Sequence, residues 1–232
     1  MEPVFDLAVV DVDGAIRENE ERMAGDTRAA FFRKAAVGGG AVLSSSAILG
    51  MLPALANAKP SKKQDLAILN YALTLEYLES AFYTDAVKGG ALHGAAKEFA
   101  KTVAGHEATH VVALHKTIKS LGGKPVAKPR FDFKGTTRNQ GKFLATSFVL
   151  ENTGVHAYLG QAGRLQSKAL LAAAASIVTV EARHASAAAV LNSGQSAYGS
   201  GSQGITPDGA FDTAKSMKQI LAAVGGTGFI KG

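Results

Sequence analysis

The stretch EATH (residues 107–110) has a counterpart in EARH (residues 181–184), and each follows a Glu-x6-Tyr pair by about thirty residues. A single Glu-x-x-His is common by chance, whereas two copies at nearly the same distance from a Glu-x6-Tyr are not. Residues three or seven apart lie on one face of a helix. The pattern therefore predicts two helical hairpins around a shared core, with the leading pairs Glu76…Tyr83 and Glu151…Tyr158.

These side chains have the chemistry of a metal centre with two ions. Buried carboxylates without counter-charge are very costly, and two divalent cations would offset four of them. Four-helix bundles hold such centres with one Glu on each of two helices and Glu-x-x-His on the other two. We predict an all-α four-helix bundle whose metal ligands are Glu76, Glu107, His110, Glu151, Glu181 and His184.

Oxygen donors combined with two imidazoles favour iron or manganese over softer metals. Glu107 and Glu151 are candidates for bridging carboxylates. Tyr83 and Tyr158 lie further along the ligand faces and are candidate catalytic residues that could hydrogen-bond the ligands or carry a radical. The alternative, that both are core tyrosines with satisfied hydroxyls, stays open at this level.

Composition limits the classes of function. The 232 residues include no Cys, which excludes disulfides, thiolate zinc sites and Cys nucleophiles. The formal net charge is +6, but the lysines are dispersed and no motif alternates basic and aromatic residues. We therefore expect no nucleic-acid partner.

The N-terminal quarter of the chain differs from the rest. Residues 1–26 form an acidic extension, and residues 27–58 are typical of an export signal that ends in Ala-Asn-Ala. Cleavage after Ala58 would release a periplasmic or extracellular chain. The basic part resembles a twin-arginine signal, although Ala29 breaks the arginine pair. An uncleaved membrane anchor is the alternative, disfavoured by the glycines and serines in the apolar run.

Residues 59–191 are predicted to form the bundle. Apolar spacing predicts helices at 62–88, 94–121, 142–162 and 165–191, the last of them Ala-rich and buried on several sides. The stretch 122–141 is predicted to be a long crossover without structure of its own. Residues 192–232 are predicted to be a flexible loop and a short helix (211–224), capped by Asp212 or Thr213. Phe229 and Ile230 would form an apolar plug at one bundle end.

Four further residues lie near the ligands in sequence. Glu79 is about 60° around the helix from the ligand stripe and is expected to be solvated. Gly154 leaves room for metal-bound solvent or for a close helix approach. His106 is expected either at the polar surface or in contact with a ligand, and His156 is a weaker candidate for such a contact.

HEATH (residues 106–110) also matches the zinc-protease pattern His-Glu-x-x-His. In that interpretation His106 and His110 bind zinc, Glu107 is the base and Glu151 is the third ligand. It leaves the second Glu-x-x-His and both Glu-x6-Tyr pairs unexplained, so we favour the bundle.

Four segments together resemble one known family: ALTLEYLESAFY (72–83), HEATH, ENTGVHAYLGQ (151–161) and EARHASA (181–187). They are similar to the ferritin-like domain family, which includes exported bacterial ferritin-like proteins and plant desiccation-related proteins. The similarity extends over residues 62–232. It implies a four-helix bundle with a carboxylate-bridged dinuclear centre held by the same six ligands.

Three functions fit this pattern. The first is a di-iron or di-manganese oxidoreductase that acts on a small oxidant, either oxygen or peroxide. The second is metal binding without turnover, for storage or for protection under stress such as desiccation. The third is a structural module with a vestigial site. A homodimer is compatible with each, and we expect no stable membrane span in the mature chain.

Overall fold

The computed structural model describes residues 61–193 and 211–231. The acidic extension and the export-signal-like segment lie outside the described residues, as does most of the loop predicted at 192–210. Five helices account for most of the described chain: α1 (Lys62–Gly89), α2 (Gly94–Ser120), α3 (Gln140–Ala162), α4 (Lys168–Ser193) and α5 (Met217–Thr227). The predicted all-α class is confirmed.

Local chemistry explains where the helices begin and end. The Ser61 side chain accepts a hydrogen bond from the backbone N–H of Gln64 and so caps α1, and the Asn139 side chain caps α3 in the same way. At the other end of α1, Gly90 adopts a left-handed conformation with φ 68°, which only glycine enters at little cost.

The four long helices pair as two hairpins. Helix α1 packs along α2, α3 packs along α4, and the hairpins meet through α1 with α3 and α2 with α4. The stacked rings of Phe82 and Phe143, with centroids 5.3 Å apart, join α1 to α3. Each predicted metal ligand lies near the middle of its helix, so the ligands lie together in the central part of the bundle.

The crossover between α2 and α3 is more ordered than predicted. It contains a strand, β1 (Arg130–Phe131), and a 3₁₀ turn (Thr136–Arg138), where we expected no structure. The Thr137 hydroxyl and the Arg138 guanidinium both donate hydrogen bonds to the Asp85 carboxylate on α1. These polar anchors have no apolar periodicity, so the spacing argument missed them.

The C-terminal segment packs against the bundle through backbone contacts. Lys215 N donates to His156 O at 3.1 Å, and strand β2 (Ile230–Lys231) pairs antiparallel with β1. Phe229 contacts the Phe133 ring, as an apolar plug would. Helix α5 begins at Met217 and not at residue 211, because Ser216 and Gln219 form the capping box in place of Asp212 or Thr213.

The first half of α4 is not buried on several sides, contrary to our prediction. Leu171 is 39 % exposed, and Ala172, Ala173 and Ala175 are exposed as well. An Ala-rich outer face has the same apolar pattern as a buried one, so composition could not separate them. Among the described residues, no helix combines the length and apolar character that crossing a membrane requires.

Candidate metal centre

The six predicted ligands come from all four long helices and meet in the core. Glu76 lies on α1, Glu151 on α3, and the two Glu-x-x-His pairs lie on α2 and α4. All four carboxylate residues are 0 % exposed, and His110 and His184 are buried as well. The spacing of three residues brings each imidazole onto the same helix face as its partner carboxylate.

The ligand atoms form two groups that share two carboxylates. One group contains Glu76 and His110, the other contains Glu151 and His184, and Glu107 and Glu181 belong to both. Within each group the donor atoms lie within 4.8 Å of one another. We considered Glu151 as a bridging carboxylate, but it belongs to one group only. Glu181 is the second carboxylate that both groups share, because the second Glu-x-x-His faces the first across the bundle.

The separations between donor atoms suit neighbouring ligands of one ion. His110 Nδ1 lies 3.2 Å from oxygens of Glu76, Glu107 and Glu181. His184 Nδ1 lies 3.1 Å from oxygens of Glu107 and Glu151. Metal–ligand bonds of 2.0–2.2 Å at right angles would place neighbouring donor atoms about 2.8–3.1 Å apart.

Three carboxylate oxygens in this cluster have no hydrogen-bond partner among the described residues. They are Glu107 Oε1 and both oxygens of Glu181, and all three are buried. Glu107 Oε1 and Glu181 Oε1 have imidazole nitrogens at 3.1 and 3.2 Å, but these contacts are not hydrogen bonds. A buried oxygen without a hydrogen bond loses its hydration for a smaller return. The two shared carboxylates are thus the ones that most need a cation, and the residues present fit a dinuclear centre.

The two tyrosines bind ligands across the hairpins. Tyr83 on α1 donates a hydrogen bond to Glu151 on α3, and Tyr158 on α3 donates to Glu76 Oε1 on α1 at 2.5 Å. Each hydroxyl therefore orients the unshared carboxylate of the opposite hairpin. This geometry supports the hydrogen-bonding role considered from the sequence.

We expect Tyr158→Phe to weaken binding of the ion that Glu76 holds by about tenfold, because hydrogen-bonded partners of ligands typically contribute 10–100-fold in affinity. Competition titration with a chelator measures this. Tyr77→Phe on α1 is the control, since Tyr77 packs against apolar residues and has no hydrogen bond to a ligand among the described residues. An unchanged affinity in Tyr158→Phe would contradict the assigned role.

His106 contacts a ligand from outside the two groups. Its Nδ1 lies 2.8 Å from His184 Nε2, the ring nitrogen opposite the one that faces the carboxylates. His106 can therefore hold the His184 ring in place, which was one of its two predicted roles. The zinc-protease interpretation is not supported, because it requires His106 in the same ligand group as His110. His156 lies instead beside Lys215 and Asp212 in the C-terminal segment.

Glu79 is buried, which corrects the prediction that it is solvated. It is 3 % exposed, and its charge interacts with those of Glu181 and Glu151. A Cβ on Gly154 would lie 3.3 Å from Glu79 Oε1 and 2.8 Å from Glu181 Oε2. The missing side chain on α3 thus makes room for the Glu79 carboxylate. The sequence signal was present: Glu79 follows Glu76 by three residues, and Gly154 follows Glu151 by three.

We expect Gly154→Ala to weaken binding of both ions by about tenfold, because the new methyl group would push Glu181, which both groups share, out of position. Gly105→Ala is the matched control, since a Cβ there meets nothing within 4 Å. Equal metal affinity in the two variants would contradict this prediction, because it would mean that the Glu181 side chain can move without loss of binding.

Burial and the histidines set the protonation of the cluster. Burial raises the pKa of Glu181 to about 8 and those of Glu76 and Glu79 well above their usual range. Burial also acts against protonation of the histidines, but the carboxylates around each ring outweigh it. They raise the pKa of His110 to about 12 and that of His184 to about 10. Without cations, protons therefore neutralise much of the site.

A profile of the family described as a ferritin-like domain matches residues 64–193, more than half of the chain. The chain belongs to the ferritin-like domain family. The matched span begins inside α1 and ends with α4, so it contains all six predicted ligands and both tyrosines of this ferritin-like protein. Among curated proteins, no match to the chain is found.

Proposed function

We propose that this ferritin-like protein binds two divalent metal ions, iron or manganese, and that Glu107 and Glu181 would contribute to both sites. The observation that carries the proposal is the overlap of two donor groups at two buried carboxylates, three of whose four oxygens lack a hydrogen bond among the described residues. Glu76 and His110 would complete the ligands of one ion, and Glu151 and His184 would complete those of the other. The mixture of carboxylate and imidazole donors favours these metals.

We propose further that the centre acts as an oxidoreductase on oxygen or peroxide. When bound, two such ions can supply two electrons, which with two protons reduce one hydrogen peroxide to two waters. The chain's own residues hold the site in shape for this chemistry. Tyr83 and Tyr158 orient the unshared carboxylates, and Glu79 holds a proton at its carboxyl group beside Glu181, because burial raises its pKa.

Metal content and peroxide reactivity test the two parts of this proposal separately. Elemental analysis of protein loaded with Fe²⁺ or Mn²⁺ should give about two ions per chain. Anaerobic Fe²⁺-loaded protein should then be oxidised by stoichiometric peroxide, which absorption spectroscopy can follow. If two ions bind but peroxide does not oxidise them, the metal-binding proposal stands and the oxidoreductase proposal is wrong. Failure to bind ions under any loading condition would remove both.

Metal binding without turnover is the second candidate, and the depth of the site favours it. The four carboxylate residues are fully buried, so the ions would be well separated from solvent. A storage or protective role requires that the protein retain its metal ions and not exchange them rapidly with solvent. Repeated turnover with a reductant and peroxide distinguishes the candidates, because a retention site would be oxidised once and then stop.

We also propose export to the periplasm or the extracellular space, on the sequence of residues 27–58 alone. Cleavage after Ala58 would remove that segment and leave α1 intact, since α1 begins at Lys62. N-terminal sequencing of protein recovered from the source cells tests this. A start at Lys59 supports export, and an uncleaved chain in the cytoplasm would overturn it.

Metal binding should release protons and tighten as pH rises. At pH 7 His110, His184 and Glu181 are protonated in the metal-free site, with pKa values of about 12, about 10 and about 8. Ligands bind metal without these protons, so loading both ions should release about three protons or more. Titration in weak buffer with a pH indicator measures the number. Because Glu181 loses its proton above pH 8, fewer should be released at pH 9 than at pH 7.

A further inference from the structure

A second internal site lies in the same bundle, next to the metal ligands. It is a cavity of ≈ 60 Å³ with walls from all four long helices, and most of its lining is apolar. Among its lining residues are Ala72, Leu114, Ile177 and Tyr158. The first three lie four residues from Glu76, His110 and Glu181 respectively, which is about one helical turn or 5.4 Å. The cavity therefore continues the ligand stripes along the bundle axis.

The cavity wall contains two buried polar groups without partners. Tyr71 and Gln161 both line the cavity, and Tyr71 Oη and Gln161 Nε2 have no hydrogen-bond partner among the described residues. They are 8 % and 3 % exposed, so bulk water does not satisfy them. The other end of the Gln161 amide is already occupied, because its Oε1 accepts a hydrogen bond from Arg164 at 2.8 Å. Buried polar groups nearly always have partners, so an unpaired hydroxyl and an unpaired N–H in one apolar wall indicate a polar guest.

The surrounding charges determine which guest is suitable. Five buried carboxylate residues, Glu79 among them, lie on the adjoining stripes, and Glu79 acts on the Tyr71 hydroxyl electrostatically. Among the described residues no Lys or Arg side chain lines the cavity, and the Arg164 guanidinium contacts its wall through the hydrogen bond to Gln161 Oε1. An anionic guest would lose its hydration in an apolar cavity without a cation in its lining, and a guest without polar atoms would leave both groups unpaired. Tyr158 connects the cavity to the metal site, since it lines the cavity and donates to Glu76.

We propose that this cavity is a binding site for a small neutral amphiphile: a short apolar molecule with one hydroxyl or carbonyl oxygen. The oxygen accepts a hydrogen bond from Gln161 Nε2 and pairs with the Tyr71 hydroxyl, and the apolar part packs against Leu114 and Ile177. The cavity volume lies between that of one water, about 30 Å³, and a benzene-sized site of about 150 Å³. Only a guest of a few heavy atoms fits. A reaction of this guest at the neighbouring centre would rest on the proposed function, whereas binding itself does not.

Two exposed residues in the lining indicate where a guest would enter. Ala113 and Ala173 line the cavity and are exposed, on α2 and α4 respectively. Because both side chains are small, the space between these two helices is the expected entrance. A larger side chain at either position would narrow the entrance without entering the core.

The test uses 1-propanol and propionate as probes of equal chain length, with the full chain in metal-free and metal-loaded form. Methyl NMR shifts of Leu114 and Ile177 report occupancy. We expect saturable binding of 1-propanol with a Kd on the order of millimolar, and propionate at least about tenfold weaker because its charge would lose its hydration. Tyr71→Phe should weaken 1-propanol binding by about threefold to tenfold through loss of one hydrogen bond. Ala173→Leu should abolish saturable shifts by narrowing the entrance.

Tyr71→Phe is a clean variant because the hydroxyl has no partner within the described protein, so folding loses no hydrogen bond. Tyr77→Phe on the same helix is the control and should bind 1-propanol like the unmodified chain. Linear, unsaturable shifts would overturn the proposal and leave water as the only occupant. Equal binding by Tyr71→Phe, or equal binding of propionate, would overturn it too. Saturable binding in metal-free protein would stand even if the centre bound no ion, so the two proposals fail separately.

Discussion

Glu181→Ala should abolish tight binding of both metal ions, whereas Glu76→Ala should remove only one. Glu181 belongs to both donor groups, and Glu76 belongs to one. Changes to residues that merely support a ligand already cost 10–100-fold in affinity, so loss of a shared ligand should cost about 100-fold or more for each ion. Elemental analysis after gel filtration should give near zero ions per chain in Glu181→Ala and about one in Glu76→Ala.

Glu98→Ala is the control for this pair. Glu98 lies on the outside of α2, with its side chain 70 % exposed and its partner Lys101 on the same surface. Such exposed pairs contribute little, so the control should bind two ions with unchanged affinity. The metal-free Glu181→Ala chain should remain folded, because the change removes a buried carboxyl whose pKa is raised by its environment. Two tightly bound ions in Glu181→Ala would contradict the assignment of Glu181 to both sites.

Gly160→Ala should displace the C-terminal segment and destabilise the fold by about 1–3 kcal/mol, the usual cost of overpacking. A Cβ at Gly160 would lie 1.8 Å from Lys215 O and 2.7 Å from its carbonyl carbon. Backbone atoms cannot move aside as a side chain end can, so the segment must shift as a whole. The hydrogen bond from Lys215 N to His156 O would be lost with it.

Gly141→Ala in the same helix tests whether the effect is local. A Cβ there meets only Asn139 Oδ1 at 3.5 Å, an ordinary contact. Helix propensity alone should then stabilise this control by about 0.5–1 kcal/mol. Urea unfolding gives both values, and limited proteolysis should cleave residues 211–231 faster in Gly160→Ala only. Equal stability of the two variants would mean that the C-terminal segment does not pack here in solution.

The grouping of the six predicted ligands in the core was predictable because it depends on spacing along single helices. Glu107 and His110 share a face for reasons internal to α2, and Glu181 and His184 repeat the arrangement on α4. The helices were predictable for the same reason, with small shifts at their ends where caps such as Ser216 decide the boundary. The crossover was not, since its order depends on hydrogen bonds from Thr137 and Arg138 to a distant Asp85.

Glu79 shows what spacing along a single helix cannot predict. Its angle around α1 was known from the sequence, but that angle alone does not say which neighbour it faces. The absent side chain of Gly154 on α3 gives its carboxylate a buried place. At the start of α4 the error runs the other way: residues expected to be buried are exposed, because this Ala-rich stretch has no neighbour on its outer side within the described part of the chain.

The amino-acid sequence by itself determined the helices and which six Glu and His residues and two tyrosines share their inner faces, because helix periodicity sets which residues share a face. Only the tertiary structure decided that Glu181 and not Glu151 is shared with Glu107, and that each tyrosine binds the carboxylate of the other hairpin. It also decided that an apolar cavity adjoins the ligands. The physical reason is that these features depend on the rotation and offset of one helix against another, which side-chain packing sets after the helices have formed.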